Sequence, residues 1–511
     1  MKSKSRRTSG RTLVFTNHWL AVAAGLLCIA LLAPTNSIAQ FTPVQISVDK
    51  FTNSDSVHRT EVEPDSFAWG STIVAAYHVA RRPGSIGWGS AAIGFTTSTD
   101  GGKTGVYGYL PGLTVNYQGG KYYGAADPSV AYDAKHGVWL ISSLALVNPI
   151  GDVVVSRSTD GIHWGSPVLI DGTHNDDKNW TVCDNTPSSP FYGNCYTEWD
   201  AAATTGLILM SKSSDGGVTW SAGKTTADGA GGLGGQPLVQ PNGTVVVPFS
   251  QGYIGVGAFV STNGGASWGS STNVATVFLH TEGGGLRSLP LPSADIDAAG
   301  KVYVVWQDCR FRSGCAANDI VMSSSTDGTH WSQPARIPIA PVTSTVDAFL
   351  PGIGVNPATS GGTADVTVLF YYYPVSNCDS TTCQLEVGFA NSQDGGNTWT
   401  RGAHLAGPMS VNWLPVSDLG PMVADYIRVS YSNGNPFGIF AAAKAPTGAV
   451  LNEAMYTTKQ PLVPSFDAPR FSSRGEEPVP NPRSDHPIKA YYDDEGRFPV
   501  PEWKMPKQER Q

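Results

Sequence analysis

Carboxylates, an amine and several guanidinium groups stand at the openings of strand-like runs in this chain. Glu63 and Asp65 open one run, Asp127 opens another, and Asp177, Lys178 and Trp180 open a third. Further along come Arg287, Asp295 and Asp347, then Asp425, Tyr426 and Arg428. The segment Trp306-Gln307-Asp308-Cys309-Arg310-Phe311-Arg312 adds two arginines at the end of a second strand. Such groups can pass protons, and a guanidinium can hold a carboxylate through two parallel hydrogen bonds. The Asp177–Lys178 pair has two readings: contact with a polar ligand, or a salt bridge between neighbouring sheets with Trp180 buried beside it.

These residues need a frame, and a repeated motif supplies it. Ser158-Thr159-Asp160-Gly161-Ile162-His163-Trp164 recurs with its Asp, or Asn, at Asp100, Asp215, Asn263, Asp327 and Asp394, six copies in all. Recurrence every 48 to 67 residues marks a repeat architecture. Asp followed by Gly between extended runs is a hairpin turn, because Gly takes positive φ without steric cost and the Asp carboxylate accepts nearby backbone N–H groups. Six such acids cannot share one reaction centre, so they are read as structural. Around the second copy, residues 127–133, 138–146, 152–158 and 164–170 read as four successive antiparallel strands, a propeller blade. The expected fold is therefore all-β, a β-propeller of four-stranded blades.

After the sixth turn, residues 425–431, 437–444 and 452–458 supply three strands without a fourth. Thr42-Pro43-Val44-Gln45-Ile46-Ser47 is similar to the fourth strands at 166–170 and 334–338. Its pairing with the C-terminal strands would close a ring and cover exposed edges, which gives seven blades, with six plus an irregular cap as the alternative.

The ends of the chain carry different signals. Residues 1–39 read as a signal peptide, with Lys2, Lys4, Arg6, Arg7 and Arg11 ahead of the apolar run from Trp19 to Ala33 and small residues near Ala39. That implies a secreted or periplasmic protein with no stable membrane span after cleavage. Six cysteines remain, falling as near neighbours: Cys183 with Cys195, Cys309 with Cys315, Cys378 with Cys383. Local disulfides are expected in an exported chain, and no spacing suits zinc. No metal site is expected; Ca²⁺ is conceivable at Asp176-Asp177 with backbone carbonyls, though no full set of oxygen ligands is visible. The propeller is expected over 40–458, and the Pro-rich, charged segment 459–511 reads as disordered. A net charge of −8 gives no reason to expect nucleic acid.

The six turns resemble the Asp-box, or bacterial neuraminidase repeat, of the sialidase-like β-propellers of secreted bacterial proteins. The resemblance implies a glycoside hydrolase acting on a terminal sugar of an extracellular glycan or glycoprotein, working as a monomer. It also implies an acid/base Asp, a Tyr–Glu nucleophile pair and three arginines on the substrate carboxylate. Carried onto this sequence, the acid is Asp65 or Asp127, the nucleophile Tyr426, and its partner Glu282 or Glu198. The clamp draws on Arg287, Arg310, Arg312 and Arg428. The family's Arg-Ile-Pro occurs only as Arg336-Ile337-Pro338, in a fourth strand away from any channel. The rival reading is a propeller that binds glycan or protein without the complete catalytic set.

Overall fold

A computed structural model describes residues 41–83, 89–147, 151–202, 205–465, 467–473, 475 and 477–479, with the backbone of two short strands beyond them; the side chains of 174 and 175 fall outside the description. The expected signal peptide lies outside the described residues. These residues form antiparallel β-sheet throughout, with a few single turns of 3₁₀ helix and no α-helix. None of their helices is long and apolar enough to cross a membrane.

Strand β1 (Pro43–Gln45) leads into a group made of β2 (Asp65–Trp69), β3 (Thr72–Arg81), β4 (Ser90–Ser98) and β5 (Val106–Tyr109). The next strands are β6 (Gly124–Asp133), β7 (Val138–Leu146), β8 (Gly151–Ser158) and the long β9 (Val168–Cys183). The first part of β9 pairs with β8, and its second part pairs with β10 (Cys195–Asp200), which carries β11 (Ile208–Ser213). Four-stranded sheets follow from β12 (Leu238–Val239), β13 (Val245–Ser250), β14 (Gly255–Ser261) and β15 (Thr272–Thr276), and from β16 (Ser293–Ile296), β17 (Val302–Asp308), β18 (Asp319–Ser325) and β19 (Ala335–Arg336). Another joins β20 (Asp347–Val355), β21 (Val366–Tyr373) and β22 (Gln384–Ser392) to β24 (Ala403–Ser410), with the short β23 (Thr398–Thr400) between them in sequence. After the small hairpin of β25 (Val416–Ser417) and β26 (Gly420–Pro421) come β27 (Arg428–Ser432), β28 (Asn435–Ala443) and β29 (Glu453–Thr458).

The last of these sheets takes its fourth strand from the other end of the chain. β1 lies antiparallel on β29, with Val44 opposite Thr457. Ser47 reinforces the junction, since its hydroxyl donates to Glu61 Oε2 at 2.7 Å and accepts the Met455 N–H at 2.8 Å. Past Thr458, β30 (Arg470–Ser472) pairs with β23, and the Ser473 hydroxyl donates to the Gly396 carbonyl.

Middle strands are Val-, Ile- and Tyr-rich because both of their faces are covered. Val245–Val247 in β13 and Val366–Tyr371 in β21 are buried without interruption, the pattern of strands sandwiched between layers. The six repeated turns share the Ser and Asp or Asn bonding, while the first copy lacks the Trp and Trp268 Nε1 has no acceptor. In the second copy, Ser158 Oγ donates to Asp160 Oδ1 and accepts the Gly161 N–H, Asp160 Oδ1 accepts the Ile162 and His163 N–H groups at 2.8 Å, and Trp164 Nε1 donates back to the Gly161 carbonyl. Gly161 sits at φ 75° and Gly216 at φ 71°, the left-handed region that Gly occupies most cheaply. The three near-neighbour cysteine pairs, Cys183–Cys195, Cys309–Cys315 and Cys378–Cys383, are disulfides.

Asn263 does the work of Asp in its copy, accepting the Ser267 N–H at 3.0 Å through Oδ1 and donating through Nδ2 to Ser267 Oγ. Asp215 is held down at about 2 despite slight burial, by hydrogen bonds from Thr219 and Ser213. Its folded pKa lies below the ordinary carboxylate value of about 4, so its contribution is full above that value and is lost as pH falls toward 2. Asp215→Asn is expected to keep the turn, as Asn263 does, and to flatten the loss of stability across that acid window. Urea midpoints measured from pH 5 to pH 2 check this; an unchanged acid slope would contradict it.

Candidate functional site

First strands of neighbouring sheets are tied side by side. The Asp65 carboxylate in β2 accepts the Val130 N–H of β6 at 2.7 Å, Ser129 in β6 accepts the Thr181 N–H of β9, and Asp295 in β16 accepts the Val355 N–H of β20. Ser430 in β27 meets Ser66 in β2 at 2.8 Å, which ties the last sheet to the first. Just before β2, and within β6, β9 and β20, the backbone turns sharply. Glu63, Asp127, Lys178 and Leu350 adopt φ of 53°, 45°, 50° and 48°. Side chains other than Gly resist this conformation, so each turn stores strain that its surroundings must offset. Part of the offset is a hydrogen bond from the turning residue to the preceding sheet's second strand: the Asp127 N–H to His78 Nε2 at 2.8 Å, and the Leu350 N–H to Gln307 Oε1 at 2.9 Å.

These turns aim three charged side chains at one point. Lys178 Nζ lies 3.2 Å from Glu63 Oε1, 3.3 Å from Asp127 Oδ1 and 2.7 Å from Asp425 Oδ2. Arg287 grips Asp425 with both arms of its guanidinium, at 2.8 and 2.5 Å. His78 Nε2 lies 2.9 Å from Glu63 Oε2. Arg81, on the same strand as His78, is buried too, and its Nε has no hydrogen-bond acceptor. Trp180 and Tyr426 pack edge to face at 5.2 Å, and Lys178 Nζ stands 5.7 Å from the Tyr426 ring centre.

The electrostatics follow from burial and proximity. Burial alone would raise Glu63, but Lys178 and then His78 reverse it and hold the carboxyl at about 2. Burial would likewise raise Asp127 and Asp425; Lys178 lowers the first, and Arg287 followed by Lys178 lowers the second. Against the desolvation that would lower it, Lys178 is raised well above the ordinary amine value by Asp127, Asp425 and Glu63. His78 is raised by Glu63 and Asp127 against its own burial. Arg81 is lowered, first by burial and then by repulsion from Arg287. The cluster thus holds a permanent ammonium among three permanent carboxylates. Lys178 in this state cannot act as a base.

Asp127, Lys178, Arg287 and Tyr426 come together here, as does Asp425. Asp177 stays at the edge, its Oδ1 3.1 Å from the Lys178 amide. Asp65 is spent as the staple to Val130, and burial pushes its carboxyl up to about 6. The expected arginine clamp does not assemble. Arg310 binds Asp308, Arg312 forks onto Asp319 at 2.7 and 2.6 Å, and Arg428 donates to the Ala294 carbonyl at 2.7 Å, 3.5 Å from Asp295. The Tyr–Glu pair does not assemble either. The Tyr426 hydroxyl donates to the Pro128 carbonyl at 3.4 Å, while Glu282 accepts from Gln307 and Asn318. Burial, followed by the Asp127 and Glu63 charges, raises Tyr426 well above its ordinary value, away from the phenolate a nucleophile requires. Glu198 is buried with its carboxyl against Gly235, and desolvation raises it well above the usual range.

His78 and Arg81 lie on a second strand, away from the first-strand openings and the Trp306–Arg312 segment that stand out in the sequence. A signal existed: they are the polar interruptions in the otherwise apolar run Ile73–Ala80 and its end.

No family model matches the chain, and no curated protein matches it. Structural neighbours include a polysaccharide lyase and sialidases. An ulvan lyase is 12% identical over 82% of this chain and 96% of its own, with a TM-score of 0.49. The intramolecular trans-sialidase from Ruminococcus gnavus is 14% identical over 78% and 93%, at 0.39, and a sialidase from Streptococcus pneumoniae is 12% identical over 80% and 70%, at 0.38. At these identities and scores the likenesses assign neither a reaction nor a site to this chain.

Removing the Lys178 amine would leave three buried carboxylates facing one another. Lys178→Met is expected to cost about 3–5 kcal/mol, read as an earlier urea midpoint. Adding Glu63→Gln should recover part of the loss, because it removes one of the repelling charges. A Lys178→Met protein as stable as the parent would contradict this account of the cluster.

Proposed function

We propose that the chain is a secreted propeller of Asp-box type, seven blades closed by β1 on β29, which binds the acidic group of an extracellular glycan at the mouth around Arg81 and Arg287. The ring reading is supported by the pairing of Val44 with Thr457 and by the tie between Ser430 and Ser66. One observation carries the binding reading. Arg81 is a buried guanidinium whose Nε has no acceptor, and it lies within repelling reach of Arg287. A buried polar group without a partner costs free energy, and two like charges add to that cost. A carboxylate or sulfate at the two guanidiniums would relieve both, with the two-pronged geometry that arginine favours. Arg287 keeps 16% of its side chain exposed, so the mouth is open on that side.

A binding role is favoured over sialidase-type hydrolysis. The hydrolytic reading needs an accessible phenol beside a carboxylate base, and Tyr426 is 6% exposed with its hydroxyl on a backbone carbonyl. The carboxylates of the cluster are neutralised by Lys178 and Arg287 in place.

The mature protein is expected to bind glucuronate- or sialate-bearing oligosaccharides in calorimetry, more weakly as salt rises, and to leave neutral analogues unbound. Arg81→Met should abolish that binding while leaving stability unchanged or higher, since it deletes a buried guanidinium whose Nε has no acceptor and that Arg287 repels. Tyr426→Phe should bind as the parent does. Equal binding of neutral and acidic sugars would overturn the reading, and release of a fluorogenic sialoside that Tyr426→Phe abolishes would restore hydrolysis.

A further inference from the structure

The first of the six turns departs from the others at one position. Five copies close on a Trp: Trp164, Trp220, Trp268, Trp331 and Trp399. In the first, Asp100-Gly101-Gly102-Lys103-Thr104 runs on into Gly105, where Asp215-Gly216-Gly217-Val218-Thr219 is followed by Trp220. The bonding of these two turns is otherwise shared. Ser98 Oγ accepts the Gly102 N–H at 2.9 Å, as Ser213 Oγ accepts the Gly217 N–H at 2.9 Å. Asp100 Oδ1 accepts the Thr104 N–H, as Asp215 Oδ1 accepts that of Thr219.

The ring that the first copy lacks has a definite place in the others. In four of them the indole donates to a glycine carbonyl of its own turn, at 3.0 to 3.3 Å. It also packs on strands that come before it in the chain: Trp164 lies 5.7 Å from the Phe95 ring of β4, and Trp268 lies 6.2 Å from Tyr196 of β10. The turn glycines press on the same neighbours. A Cβ at Gly265 would come within 2.9 Å of Tyr196, and one at Gly102 within 2.8 Å of Phe437 in β28. The matching place in the first copy therefore lies between β3 and β28. A pocket of about 130 Å³ is found there, walled by Ile73 and Ala75 of β3, Phe437 and Ile439 of β28, and Val44 of β1, with Gly102 and Gly105 at its edge. Val44 is 40% exposed and Gly105 is exposed, so the pocket reaches solvent. Lys103 and Lys459 line it as well, and both are exposed.

We propose that this pocket binds a small aromatic carboxylic acid, its ring where the other turns hold their indole and its acid group at Lys103 and Lys459. An apolar cavity of about 150 Å³ takes up benzene, so the space suits one flat ring system. Burial of the ring supplies the attraction. Gly102 offers the carbonyl that meets the indole N–H in the other turns, which favours a ring carrying an N–H donor. The exposed ammonium groups can meet the carboxylate without being stripped of water. The site shares no residue with the mouth around Arg81 and Arg287.

The test titrates the mature protein with indole-3-acetate, indole and tryptamine, followed by saturation-transfer NMR of the ligand ring protons. Indole-3-acetate is expected to bind saturably, indole up to about fivefold more weakly for want of the lysine contact, and tryptamine most weakly of the three. Indole has no acidic group for the mouth to hold, so its binding reports the pocket alone. Gly105→Trp is expected to abolish indole binding and to raise the thermal midpoint. Val44→Trp, which brings a ring in from the exposed wall, should also abolish it and keeps the test decisive where Gly105→Trp fails to fold. The proposal is overturned if indole does not bind the parent protein, or if its binding survives both variants. Tryptamine binding as tightly as indole-3-acetate would overturn it too, since the lysines would then play no part. So would a peptide, acetyl-Glu-Trp-Glu-amide, binding far more tightly than indole-3-acetate, because the occupant would then be a polypeptide.

Discussion

The Lys178 ammonium sits among three carboxylates carried by separate parts of the chain, and much of the molecule's polar interior depends on that contact. Glu63 precedes β2, Asp127 lies in β6, and Asp425 precedes β27. Desolvating any one of these charges alone would cost several kcal/mol, and only close mutual contact offsets it. The strained turns at Glu63, Asp127 and Lys178 are tolerated for the same reason: each aims its side chain at the shared centre. Arg287 then closes the far side of Asp425. Such an arrangement fixes the relation between sheets more than it adds to net stability, because apolar packing could stabilise as well without specifying register.

Around that centre the repeated turns act locally. In each unit the Ser hydroxyl and the Asp or Asn side chain satisfy backbone N–H groups within a few residues. The substitution of Asn at position 263 preserves the bonding without a charge, which identifies the acceptor oxygen, rather than the carboxylate's charge, as the essential feature. Charge matters instead in the interior, where Arg81 is left without an acceptor at Nε beside the paired Lys178, Glu63, Asp127 and Asp425.

Legibility in the sequence divides along the same line. The six turns were readable because their chemistry is complete within about seven residues, and the pairing of Thr42–Ser47 with the C-terminal strands was readable because the segment repeats the pattern of fourth strands. The three disulfides were readable from short spacing. The cluster was legible only in part. Asp127, Lys178, Asp425 and Tyr426 stood out as polar residues at strand openings, but nothing local says that Glu63 and Asp425 meet across the whole length of the chain. The arginines misled for a physical reason: Arg310 and Arg312 have acids within a few residues, Asp308 and Asp319, and each is consumed by that nearer partner. Arg81 was hidden at the end of a strand that is apolar and buried almost throughout.

The claim that most needs a direct answer is that the mouth holds an anion at Arg81. Arginine Nε–H resonances of the ¹⁵N-labelled mature protein, assigned through an Arg81→Met variant, can be followed during titration with glucuronate and, separately, with glucose. The account requires the Arg81 Nε–H signal to move and saturate with glucuronate while remaining still with glucose. A signal that ignores glucuronate, or responds alike to both sugars, would contradict it.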